Sequence, residues 1–146
     1  MLLPRYYFEN DFSNFEEEFR RNAVAVRSYT PGDPLNKAGY DLDDLYYVKE
    51  GVFQVVMTNA DGAECVVAYF GSGSMHPVKC KEFHFSLEHA FTMVATTACT
   101  VYVITPEIFR NLVMKNPELA VAAINFHVLY SNLQSYRLIT QSYDPS

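Results

Sequence analysis

Past residue 22 the apolar positions settle into a period of two. Ala23 to Tyr29 alternates and predicts a first strand, closed by Thr30-Pro31-Gly32-Asp33-Pro34, which is turn chemistry throughout. Phe53, Val55 and Met57 then alternate with Gln54, Val56 and Thr58. Beyond the Asn59–Gly62 turn, Val66, Ala68 and Phe70 alternate with Cys65, Val67 and Tyr69. That pattern predicts a hairpin whose strands have unequal faces. Gly51, Asp61-Gly62 and Gly71-x-Gly73 cut residues 44–73 into short β-branched and aromatic runs, and glycine reaches the positive φ that tight corners need. Punctuation of this kind predicts a small antiparallel β-roll that holds a ligand, hence a sensor module. Phe91–Ala95 and Cys99–Ile104 resume strand character, while Met75–His89 between them keeps no period.

Helical spacing frames the strands. Residues 1–22 form a helical segment in which Ser13 or Asn14 is expected to cap a short helix through Arg21. Thr105-Pro106-Glu107 is a helix start, with proline at the first helical position and an acid at the positive end of the dipole. That helix runs to Lys115. Asn116-Pro117-Glu118 starts a second one of roughly 24 residues, on the order of 36 Å long. Along it Leu119, Ala122, Phe126, Leu129, Leu133 and Tyr136 repeat at a/d spacing. A stripe this narrow suits a seam between two helices, and so a homodimer, although a helix packed on its own sheet gives the same spacing.

Composition limits the choices. With 146 residues, 49% of them hydrophobic, the chain can build one good core. A formal charge of −6 argues against a nucleic-acid surface, which needs clustered Lys and Arg. Cys65, Cys80 and Cys99 are odd in number and lack CxxC spacing, so neither a disulfide framework nor a metal site is expected and a reducing cytoplasm fits. No apolar run is long enough to span a membrane, and Met1-Leu2-Leu3 followed by Pro4-Arg5 is no signal peptide.

The order of these pieces is informative. A strand, PGDP, LYYVKEG, DGAE, GSG, TACTVYVITPEIF, NPEL and a long helix resemble, over residues 23–141, the effector domain of CRP/FNR superfamily transcription regulators. Gly32, Gly51, Gly62, Gly71 and Gly73 match that family's turn glycines, and Phe109 with Asn116-Pro117 its helical connection. The resemblance implies an antiparallel double-stranded β-helix (a jelly-roll-like β-roll) at 23–105, then a short helix and a long dimerisation helix at 106–141. It also implies that the chain is the effector part of a longer regulator, with DNA bound only through a helix-turn-helix domain absent from these residues.

The departures narrow the ligand. Where cyclic-nucleotide-binding members carry a Glu for the ribose and an Arg for the phosphate, this chain has Pro77-Val78 and His89-Ala90. Imidazole cannot replace a guanidinium fork on a phosphate, so cAMP and cGMP are not expected. The cysteine clusters of iron–sulfur members are missing. His76 or His84 could ligate a haem, but loop histidines are more often surface groups, and no cofactor is expected.

What remains is a loop carrying His76, Lys79, Lys81, His84 and His89 among Phe83, Phe85 and Phe91. Aromatic walls with a few cations suit a flat anion such as a phenolate or aromatic carboxylate. Halogenated-phenol sensors of reductive dehalogenation within the superfamily are similar in style. The plain alternative is that the phenylalanines are core and the lysines solvated. Gln134, with Ser135, is placed to close the pocket from above, and His127 is expected on the seam or surface. The main rival is a small cupin-like metal-dependent enzyme, with a stand-alone sensor module as another option. For a cupin, His84, Glu88 and His89 are the nearest approach to a ligand set, but adjacent Glu88 and His89 on a strand point to opposite faces. A non-enzymatic sensor of a small molecule is therefore the expectation.

Overall fold

The structure, a computed structural model, describes residues 5–36, 43–58, 60–80 and 91–142. Its strands are β1 (Tyr7–Phe8), β2 (Ala25–Tyr29), β3 (Leu45–Glu50), β4 (Phe53–Thr58), β5 (Glu64–Phe70), β6 (Met75–His76), β7 (Phe91–Ala95) and β8 (Cys99–Ile104). They form two four-stranded sheets, ordered β1-β5-β4-β7 and β2-β8-β3-β6. Helix α1 is Glu16–Asn22, α2 is Pro106–Lys115 and α3 is Pro117–Ser142. This is the β-roll with a long closing helix that the hydrophobic pattern predicts.

The glycines earn their places by geometry. Gly51 has φ +94°, and a Cβ there would lie 2.3 Å from the Ala98 carbonyl oxygen. Gly73, at φ +80°, lets the N-terminal chain pass so close that a Cβ would meet Asn10 Cα at 2.9 Å.

At the N-terminus the structure departs from the sequence reading. Segment 1–22 is not helical alone: β1 adds to β5 in parallel, with Tyr7 opposite Tyr69 and Phe8 opposite Phe70. A two-residue strand has no readable period, so pattern could not find it. Neither Ser13 nor Asn14 caps α1. Ser13–Phe15 is a 3-10 turn, and Phe15 takes the cap position without a side-chain hydrogen bond. What supports α1 is charge, with Glu16, Glu17 and Glu18 in its first turn and Arg20 and Arg21 in its last. Phe19 lies on β3, 5.0 Å from the Tyr47 ring, and Tyr47 Oη donates to Glu16 Oε1 at 2.8 Å. Both faces of β3 are thus covered, and Leu45–Val48 is buried without alternation.

The helical connection follows the sequence closely. Thr105 Oγ1 accepts from the Ile108 amide at 3.1 Å with Pro106 at the first helical position, and Asn116 Oδ1 accepts from the Glu118 amide to start α3.

The expected seam needs correcting. Leu119, Phe126 and Leu133 are buried at 2% exposure or less, and Ala122 and Leu129 pack around them against the chain's own roll. Tyr136 is half-buried. An inner stripe already covered in this way is not open to a second copy. The structure instead leaves Val121, Ile124, Val128 and Leu138 more than half exposed. With Ser131 and Ser135, which are also exposed, they repeat three and four residues apart, offset by two from the inner stripe. Two residues are about 200° of helix, so α3 has apolar stripes on opposite faces.

The far half of α3 is held by Arg137. Between Val55 and Val56 the β4–β5 register shifts, Val55 facing Ala68 and Val56 facing Val66. Such a bulge removes carbonyls from the ladder. Arg137 Nη2 donates to Val66 O at 3.0 Å and Val67 O at 2.7 Å, and its guanidinium lies 5.2 Å from the Tyr6 ring centroid. The helix is therefore fixed over the roll at both ends of its inner stripe.

Candidate functional site

Beneath α3 the roll opens into a cavity of about 320 Å³, lined by Asn36, His76, Pro77, Val78, Lys79, Phe91, Met93, Phe126, His127 and Tyr130. Three elements build it. Strand β6 pairs with β3, Tyr46 opposite His76, and delivers His76 inward, after which a cis His76-Pro77 bond leads Val78 and Lys79 along the wall. Phe91 and Met93 come from β7, and Phe126, His127 and Tyr130 come from successive turns of α3.

The walls are aromatic. Behind the lining, the core residues Phe53, Phe70 and Phe8 stack in series with centroids 5.2 Å apart at each step, and Phe8 meets the lining residue Phe126 at 5.4 Å. The His76 ring lies 4.9 Å from Phe70 and 5.9 Å from Tyr130, and its Nδ1 is 3.5 Å from Met93 Sδ. Burial pushes the His76 pKa down to about 3, helped by the nearby charges of His127 and Lys79. The ring is neutral at physiological pH. Burial likewise holds the Tyr130 phenol up at about 12, so its hydroxyl stays a donor.

The polar groups are sparse and unevenly satisfied. Lys79 Nζ lies 3.1 Å from Asp43 Oδ1, with the lysine side chain only 8% exposed. His127 Nε2 donates to the Val78 carbonyl at 2.7 Å and ties the cavity wall to α3. Tyr130 Oη and Asn36 Oδ1 are buried with no hydrogen-bond partner among the described residues. Orphaned buried polar atoms cost stability, and both residues belong to the lining of this one cavity.

Of the residues expected in the pocket, His76, Lys79 and Phe91 line the cavity. Lys81, Phe83, His84, Phe85 and His89 lie outside the described residues, as do Glu88 and Ala90. Gln134 does not line the cavity; its Nε2 is buried beyond it, without a hydrogen-bond partner among the described residues. Sequence reasoning missed Asn36, Met93 and Tyr130; His127 is exposed, as expected of a seam or surface residue, and also borders the cavity. The available signal was helical: Phe126 and Tyr130 are four apart, with His127 beside them on one arc of α3. Among the described residues no group of three or more His, Cys, Asp or Glu could hold a metal ion, and no helix is long and apolar enough to cross a membrane.

The neutral burial of His76 has a measurable consequence. Its folded pKa lies below the unfolded value of 6.5, so the unfolded chain takes up a proton that the folded one refuses. Stability is full above about pH 6.5 and falls as pH drops toward 3. Between pH 7 and 5 the loss from this group should be about 2 kcal/mol. Urea unfolding at the two pH values checks it, and His76→Asn should remove most of the slope.

Comparisons with known proteins agree with this fold. Residues 26–116 match the cyclic nucleotide-binding domain. No curated protein matches the chain in sequence. Among solved structures, oxidized CprK in complex with o-chlorophenolacetic acid superposes with a TM-score of 0.71 at 12% identity, covering 92% of this chain and 55% of that one. The heme domain of CooA from Carboxydothermus hydrogenoformans gives 0.66 at 14% identity, covering 92% of this chain and 94% of that one. For the heme domain of CooA from Rhodospirillum rubrum the values are 0.68, 16%, 88% and 89%. Both CprK and CooA are CRP/FNR-type regulators, the class whose layout the sequence resembles. The chain spans between 55% and 65% of the CprK chains that head these matches.

Proposed function

The chain belongs to the cyclic nucleotide-binding domain family, and from that premise we propose that it is an effector-sensing domain whose cavity takes an aromatic anion rather than a cyclic nucleotide. One observation carries the reading: the buried Lys79 side chain and Tyr130, whose hydroxyl has no hydrogen-bond partner among the described residues, line a cavity together with Phe91, Met93, Phe126 and Val78. Burying a ring against those walls supplies most of the affinity, while the ammonium and the phenol fix the anionic end. A cyclic nucleotide needs a carboxylate for its ribose hydroxyls, and the Val78 side chain supplies none. Haem fits poorly. The cavity is at the small end for ligand sites, suited to one ring rather than a macrocycle, and the His76 ring is already packed between Phe70 and Tyr130. CprK, which shares the fold, was solved with o-chlorophenolacetic acid, in keeping with the chemistry read from these residues.

In this reading the domain works as a homodimer through the outer stripe of α3, Val121, Ile124, Val128 and Leu138, in place of the inner stripe. His127 joins the two activities. It borders both the cavity and the shallow outer groove of Ile124, Val128 and Ser131. A ligand that moves the Val78 wall pulls on the helix that faces the second copy. DNA contact is assigned to a module outside these residues, since their formal charge of −6 disfavours binding to phosphates.

A thermal-shift screen tests the ligand class. Halogenated phenols, hydroxyphenylacetates and benzoates should raise the melting temperature, and cAMP and cGMP should not below millimolar concentration. Stabilisation by a cyclic nucleotide, a fatty acid or haem, with none by any aromatic anion, would overturn the reading.

A further inference from the structure

We propose that Asp43 sets the ligand specificity of this cavity by competing with the ligand's anion for Lys79. The proposal rests on the aromatic-anion reading above and adds a residue to it. Asp43 Oδ1 lies 3.1 Å from Lys79 Nζ, yet the two side chains are unequally placed, at 46% and 8% exposure. Asp43 precedes β3 by two positions and is not part of the cavity lining, whereas Lys79 is. A buried ammonium stripped of its carboxylate is costly. A neutral ring therefore cannot draw Lys79 away from Asp43, and binds with the ion pair intact. An anionic ring can, because it brings a replacement carboxylate or phenolate. The exchange is lopsided in the ligand's favour: Lys79 keeps a partner, and Asp43, already half in water, is rehydrated at little cost.

Two consequences follow from the competition. Apparent affinity for an anion is lowered by the share of time that Asp43 holds Lys79, as for any site that is only partly competent. The same competition rejects weak or diffuse anions that cannot displace a carboxylate. Asp43 thus acts as a filter through Lys79, and the Lys79–Asp43 pair contributes selectivity that the apolar walls cannot.

Calorimetric titration of 4-hydroxyphenylacetate and its neutral isostere 4-hydroxyphenylacetamide into the wild-type chain and into Asp43→Asn tests this. Asp43→Asn should tighten the acid by about tenfold, equivalent to about 1.4 kcal/mol, and change the amide by about twofold at most. Asp43→Ser should behave alike, which separates loss of charge from the shape of the amide side chain. If the wild type binds the acid and both variants bind it equally or more weakly, Asp43 orients Lys79 instead of competing for it and the proposal is overturned. If neither compound binds any of the three proteins, the aromatic-anion reading fails and takes this inference with it.

Discussion

Leu133→Asp should leave little folded protein, whereas Val128→Asp should leave a folded chain that no longer pairs. The two residues sit on one helix with opposite fates, Leu133 at 0% exposure inside the roll and Val128 at 63% outside it. An unpaired carboxylate in the core costs on the order of 4–5 kcal/mol or more, a large part of the 5–15 kcal/mol that holds a typical domain together. On the outer stripe the same carboxylate stays in water within one chain and becomes costly only where two copies meet. Circular dichroism melts combined with light scattering at tens of micromolar separate these outcomes. The wild type should scatter as a dimer and Val128→Asp as a folded monomer. If Leu133→Asp keeps its melting temperature and merely separates the copies, the inner stripe is the seam after all.

Lys79→Met should weaken binding of an aromatic anion by about 1–3 kcal/mol, since methionine keeps much of the stem but loses the charge. Tyr130→Phe should separate two properties that usually move together. Its hydroxyl is buried without a hydrogen-bond partner among the described residues, so its removal relieves a desolvation cost and should leave the protein as stable or slightly more so. Ligand binding should nevertheless weaken by about 0.5–1.5 kcal/mol, the usual worth of one neutral hydrogen bond. Titration and thermal melts on the same preparations check both. A Tyr130→Phe protein that loses stability and keeps full affinity would mean that the hydroxyl serves the fold and not the ligand.

The roll was legible because alternation, turn glycines and the Pro-headed helices are local signals, and β4, β5, β7 and β8 fall where the pattern puts them. Strands β1 and β6 are two residues each, too short to carry a period, and are defined by their partners β5 and β3. In α3 the difficulty was of another kind. Leu119, Phe126 and Leu133 on one side and Val121, Ile124 and Val128 on the other repeat at the same spacing, and sequence alone cannot say which set meets the roll. The structure decides it through Phe8 and Phe70, which meet Phe126 and Tyr130 from within. Lys79 and His76 were readable as cation and imidazole beside an irregular loop. Tyr130 and Asn36 were not, since a tyrosine on an amphipathic helix and an asparagine after a turn have no chemistry until a cavity brings them together.

The most direct test is a crystal structure of the chain grown with a chlorinated hydroxyphenylacetate. The ring should lie between Phe91, Met93 and Tyr130, with one ligand oxygen within hydrogen-bonding distance of both Lys79 Nζ and Tyr130 Oη. Ligand density elsewhere on the chain, or a ring in the cavity whose anionic end faces away from Lys79, would contradict it.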